Sequence, residues 1–213
     1  MLRVRLLGEL QADVDGAPVA PPASRRAWSL LAWLALHPGE HARGALAARF
    51  WPDVLDTSAR ASLRSALWAV RESLAAAGGE DYLHADRTHV GLAPGLPREV
   101  DVERFAALAD AGDAASLEAA VALADGPLLP DLADEWVLEE QDRHRDRLIG
   151  VLERLAALAE EAGDIGAAVR WTRAALEHDR LREGVHRALM RRLAAAGDGA
   201  SPSDSRRRSD SRS

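Results

Sequence analysis

The sequence predicts a mainly α protein with a small β component, and three observations carry that prediction. Residues 2–14 alternate apolar and polar side chains, the mark of half-buried strands. Residues 24–77 then fall into three apolar-periodic runs separated by Pro38-Gly39 and Trp51-Pro52, and a short alternating pair of segments follows. From residue 101 the pattern is helical almost throughout, and Ala162-Gly163-Asp164 recurs 34 residues later as Ala196-Gly197-Asp198. That is the period of tetratricopeptide repeats, one helical hairpin per unit.

Each element has its own local reason. In residues 2–7, Arg3 and Arg5 share one face and Leu2, Val4 and Leu6 the other; residues 10–14 repeat the alternation. Asp15-Gly16 is a tight-turn dipeptide and residues 18–20 return as an edge segment before Pro21-Pro22, so a small antiparallel sheet is expected. Ser24 is placed to cap a helix over 24–36 with Ala27, Leu30, Leu31 and Leu34 inward, stopped by Pro38-Gly39. Residues 42–50 form a second helix, residues 51–57 a loop, and residues 58–77 a third helix. Three helices of these lengths on short connections are what a helix-turn-helix needs. Residues 82–84 and 88–92 then read as a hairpin wing with Arg87 at its tip, and 100–102 as one more strand. Beyond it lie short helical segments at 102–109 and 116–124, a rigid apolar loop at 126–130, a long helix at 135–161, and a pair at 165–178 and 182–196.

The third helix has three faces. At about 100° per residue, Leu63, Ala66, Leu67, Val70 and Leu74 form an apolar arc. Arg60, Arg64, Trp68 and Arg71 form a stripe beside it, and Ser58, Ala61, Ser62, Ser65 and Ala69 a small-residue face. Arginines offer bidentate donors to phosphate or guanine, and small side chains let a helix backbone approach a major groove. Taken by itself, the same stripe also fits an ordinary solvated face.

Composition narrows the classes. The chain has no Cys, and all 27 of its basic residues are Arg. Disulfides, thiolate nucleophiles, a Walker-type phosphate loop and Schiff-base chemistry are thereby excluded. No apolar run approaches a bilayer span and the amino terminus lacks a signal peptide's pattern, so a cytoplasmic protein with no membrane partner is expected. The net charge of −7 is uneven: residues 1–100 balance 11 Arg against 11 acids, whereas residues 101–196 carry 12 against 20. Within residues 24–76, seven Arg face four acids, which allows a locally basic surface.

Catalytic and metal patterns fail on spacing. His37-Pro38-Gly39-Glu40-His41 spells an inverted zinc-protease motif, but Pro38-Gly39 breaks the helix that would align the histidines. His144-Arg145-Asp146 copies a kinase tripeptide without the accompanying glycine loop or lysine. Glu139-Glu140 and Glu160-Glu161 sit among arginines as surface ion pairs do. No enzyme activity, cofactor or metal is expected.

Together the motifs VRLLGELQADVDGAPV, LLAWLALHPGE, FWPD, ARASLRSALWAVRESL, VDVERF, GPLLPDLADEWVLEEQ and AALEHDRLREGVHRALMRRLAAAGD resemble, in order and spacing, the SARP class of bacterial transcriptional activators. That resemblance implies an OmpR/PhoB-like winged helix-turn-helix over 1–100, with an antiparallel sheet and a wing. An all-α, tetratricopeptide-like bacterial transcriptional activator domain (BTAD) follows over 101–198, apparently truncated, then a disordered Ser/Arg-rich tail over 199–213. It further implies that the third helix reads the major groove through Ser62, Arg64, Ser65, Trp68 and Arg71, with Arg60 near the helix start and Arg87 on a minor groove or phosphate. The resemblance also implies that the loop Trp51, Pro52, Asp53, Val54, Leu55 and Asp56 matches the segment that in such regulators can touch RNA polymerase. Double-stranded DNA with promoter direct repeats, RNA polymerase and self-association on DNA are the implied partners. Where many PhoB-like recognition helices carry paired arginines this chain has Trp68-Ala69, so no base preference is transferred. Two readings from other classes compete: a helical-repeat interaction module whose winged helix binds protein, and a small-molecule sensor using the helical concavity.

Overall fold

A computed structural model describes residues 1–198; the expected tail at 199–213 lies outside the described residues. Strand β1 (Leu2–Arg5) pairs antiparallel with β2 (Gln11–Val14), and β2 with β3 (Ala17–Pro18). Asp15 and Gly16 both take positive φ, 51° and 87°, the geometry of a turn whose twist matches its strands. The alternation read from sequence buries Leu2, Val4 and Leu6 and exposes Arg3 and Arg5.

Helix α1 (Arg25–Leu36) starts where Ser24 accepts a hydrogen bond from the Ala27 amide. It buries more than the expected inner face, since Trp28, Ser29, Ala32, Trp33 and Ala35 are also covered. Protein surrounds it: helix α3 and the wing pack on it from the amino-terminal half, and Asp134 of the other half binds Ser29 Oγ at 2.7 Å. A two-residue strand β4 (His41–Ala42), absent from the sequence reading, precedes α2 (Arg43–Phe50). Helix α3 (Asp56–Ala76) begins two residues earlier than the spacing predicts, because Asp56 and Thr57 join its first turn.

After a 3-10 turn at Glu80–Tyr82, β5 (Leu83–Ala85) and β6 (His89–Leu92) form the wing hairpin; β4 joins β6 to make a three-stranded sheet in the order β4-β6-β5. Strand β7 (Arg98–Val100) lies two residues before the segment expected, and it pairs parallel with β1, so the first sheet has one parallel edge. The chain then turns helical at once: α4 (Asp101–Ala111), α5 (Ala114–Leu123), α6 (Glu135–Glu161), α7 (Ile165–His178) and α8 (Glu183–Asp198) pack mainly as sequential neighbours, the stacking of a helical-hairpin array.

Two apolar cores result. One gathers the first sheet, α1 to α3 and the wing; the other gathers Phe105, Leu117, Ile149, Leu152, Leu155 and neighbours on α4 to α8. The first core does not end at residue 100, because Leu128, Leu129, Leu132, Trp136 and Val137 belong to it. The 126–132 loop docks there by backbone pairing, with Gly8 N donating to Pro127 O at 2.9 Å and Leu129 N to Leu6 O at 2.8 Å. Beside this seam the buried Asp101 carboxylate accepts from the amides of Leu6 (2.8 Å), Leu7 (2.9 Å) and Val102 (2.8 Å). Burial pushes its pKa above the ordinary carboxylate value, and those three amides oppose the rise.

Candidate nucleic-acid interface

Helix α3 buries Ala59, Leu63, Ala66, Leu67, Val70 and Leu74, the apolar arc read from sequence. The same rotation leaves Arg60, Arg64, Trp68 and Arg71 exposed. Trp68 is 62% exposed, whereas the other five tryptophans are buried or half-buried. Ser65 is exposed and turns its hydroxyl back to the Ala61 carbonyl at 3.3 Å; Ser62 is half-buried.

The arginines differ in how free they are. Arg60 Nε meets Asp56 Oδ2 at 2.8 Å, an exposed i,i+4 pair of the kind that costs little to break in water. Arg71 Nη2 donates to the Leu83 carbonyl at 3.4 Å, leaning toward the wing. Arg64 has no recorded hydrogen bond or ion pair among the described residues. Arg87 stands exposed on the turn between β5 and β6. That turn is built by Asp86, whose carboxylate accepts from the amides of Thr88 (2.6 Å) and His89 (2.7 Å) and from the Thr88 hydroxyl (3.0 Å). The His89 amide, then the Thr88 donors, lower the Asp86 pKa to about 2.

Arg43, at the start of α2, completes the group. Its Nη1 donates to the Asp86 carbonyl at 3.0 Å, and with Arg60, Arg64 and Arg87 it lines a groove between α3 and the wing in which Asp86 is the lone acid. Sequence reasoning missed Arg43. The available signal was a cation in a helix's first turn, where the dipole favours an acid. A second groove follows the other flank of α3, with Ser24, Arg64, Ser65, Trp68 and Glu72 on its walls. Glu72 was likewise not singled out.

Among the described residues, acids of the second half do not occupy these guanidiniums. Among the described residues their ion pairs are made elsewhere, as in Arg147–Asp110, Arg182–Asp146, Arg192–Glu160 and Arg98–Glu103, while the ion pair of α3 is the local Arg60–Asp56. An outward helix, a basic groove on one side and a wing beyond it can take a polyanion along a line of cations.

The expected polymerase-contact segment leads directly into α3, and its last residue, Asp56, pairs with Arg60 of that surface. Trp51 is half-buried, with the Arg26 guanidinium 6.0 Å from its ring centroid, and Arg26 also donates to the Phe50 carbonyl. Pro52, Asp53, Val54 (48% exposed) and Leu55 (80% exposed) face solvent. Asp56 belongs to the first turn of α3 instead of the loop. Among the described residues no group of three His, Asp or Glu could hold a metal ion, and no helix is long and apolar enough to cross a membrane.

Residues 100–201 match the family model described as the bacterial transcriptional activator domain. The fold is similar to a solved structure of Mycobacterium tuberculosis EmbR in complex with a low affinity phosphopeptide, with a TM-score of 0.77 and 25% sequence identity. That similarity covers 92% of this chain and 55% of the EmbR chain, so the chain spans just over half the length of that protein. No curated protein matches the sequence.

Proposed function

We propose that this chain, whose residues 100–201 match the bacterial transcriptional activator domain, is a transcriptional regulator of the SARP kind that binds double-stranded DNA in a sequence-specific way. Residues 1–100 act as the winged-helix reader and residues 101–198 as the helical effector unit. Helix α3 enters the major groove; Arg64, Ser65, Trp68 and Arg71 face base edges, with Ser62 at the flank. Arg43, Arg60 and Arg87 take phosphates on the wing side and fix the register. Activation follows when the exposed Val54-Leu55 loop meets RNA polymerase and a second protomer occupies the adjoining direct repeat. The chain works in the cytoplasm as a regulator and not as an enzyme.

The observation that carries this reading is the four-arginine groove beside α3, left open by the acidic half of the chain. It is tested by selecting duplexes from a random pool with the full chain and measuring anisotropy on the winners. Enrichment of one motif is expected, with Arg64→Glu lowering affinity more than about tenfold at an unchanged melting temperature. A pool that stays random after repeated rounds, while the protein still captures a protein partner through α3, would establish the interaction-module reading instead.

A further inference from the structure

We infer that Trp68 is a specificity residue that reads the C5-methyl group of a thymine in the major groove; this rests on the DNA-binding reading above. Taking the buried Leu63 direction as zero, about 100° per residue puts Arg60, Arg64 and Arg71 at roughly 60–100°, on the wing side. Trp68 falls at roughly 140°, close to the outward crest, with Ala61, Ser65 and Glu72 beside it. All of these neighbours are shorter than the indole. The ring is therefore the largest apolar object on the surface that faces outward, and it stands beside Arg64 on the rim of the second groove. It has no recorded aromatic or cation-π partner among the described residues, and 62% of it is in water.

Charge decides which partner suits that ring. It lines a groove with Arg64 and Glu72, and the groove on the wing side of the same helix adds Arg43, Arg60 and Arg87 against Asp86, whose carboxylate accepts from the wing amides, while Asp56 meets the Arg60 side chain. A polyanion fits such a rim, and the apolar feature a duplex offers in its major groove is the thymine methyl. Indole has one donor and no acceptor, so on a base edge its main contribution is contact with that methyl. Arg43, Arg60 and Arg87 set phosphate register and leave this base step to an apolar contact.

The test uses the full chain and the motif it selects from a random pool. Each thymine is replaced in turn by deoxyuridine, which removes the methyl and keeps the pairing edge. At one position the wild type is expected to lose about fourfold in affinity, the factor carried by one buried methyl at 25 °C. Trp68→Ala should bind the thymine and uracil duplexes equally, and Trp68→Leu should keep part of the discrimination; unchanged circular dichroism melts exclude misfolding. Equal binding of all substituted duplexes by the wild type, or full discrimination retained by Trp68→Ala, overturns the inference while DNA binding stands. If Trp68→Ala changes no duplex affinity but abolishes activation, the ring docks a protein and the inference is likewise overturned. Failure to select any motif removes the DNA-binding reading itself.

Discussion

Arg64 and His144 show how differently a charged or titratable side chain can be held. Arg64 is exposed and uncommitted among the described residues, so its reversal to Glu should leave the unfolding free energy within about 0.5 kcal/mol while lowering duplex affinity more than about tenfold. His144 is buried against Phe105, ring centroids 4.7 Å apart, and its Nε2 is buried without a hydrogen-bond partner. Burial, then the charges of Arg147 and His178, lower its pKa below the ordinary value of 6.5. The folded state therefore holds it neutral, and the unfolded state takes up the proton first as pH falls. Its contribution to stability is complete above 6.5 and is lost as pH falls below that value toward the folded pKa. Urea unfolding at several pH values checks this: His144→Leu should show a shallower loss between about pH 7 and pH 5 than the wild type. Sequence legibility at this scale followed exposure. The α3 stripe was readable because it repeats at helical spacing, whereas Arg43 joins it only through the fold of the wing, 43 residues away in sequence at Asp86.

Elements were legible where local chemistry fixes them. The bounds of the helices at 135–161 and 165–178 coincide with the periodic pattern, and the Ser24 cap is a short-range hydrogen bond that any reader of the sequence would expect. Ser24→Ala should cost about 1 kcal/mol, read as a lower urea midpoint. What sequence did not reveal is pairing between distant or very short segments. The two-residue strand β4 is too short to show a period, and the parallel β1–β7 pair joins residues about a hundred positions apart, beyond any local pattern. Gly91 marks the closest of these contacts: a Cβ there would lie 2.3 Å from the Gly39 carbonyl oxygen, behind the wing. Gly91→Ala should therefore cost about 1–3 kcal/mol through overpacking, and its displaced wing should weaken duplex binding beyond the loss of stability.

The molecule as a whole is two cores locked across one seam. Leu7 packs against both cores, Leu128 and Leu129 enter the first from the second, and Asp101 satisfies the amides of Leu6 and Leu7. The apolar 126–130 loop was legible as rigid, but its docking site on Leu6 and Gly8 was not, because nothing local encodes it. Tryptophan emission reports chiefly on the first core through Trp28, Trp33 and Trp136, and far-ultraviolet dichroism on all the helices. The two signals should trace one coincident melt in the wild type. Asp101→Ala, which strands the buried Leu6 amide at about 1–3 kcal/mol, should separate them. The arginine groove itself is tested most directly by the salt dependence of binding to the selected duplex. The logarithm of affinity should fall linearly with the logarithm of salt, and Arg43→Ala, Arg60→Ala and Arg87→Ala should each reduce the slope by about 0.9, one phosphate apiece. A slope near zero, or one that none of the three substitutions changes, would mean that these guanidiniums never meet a nucleic-acid backbone.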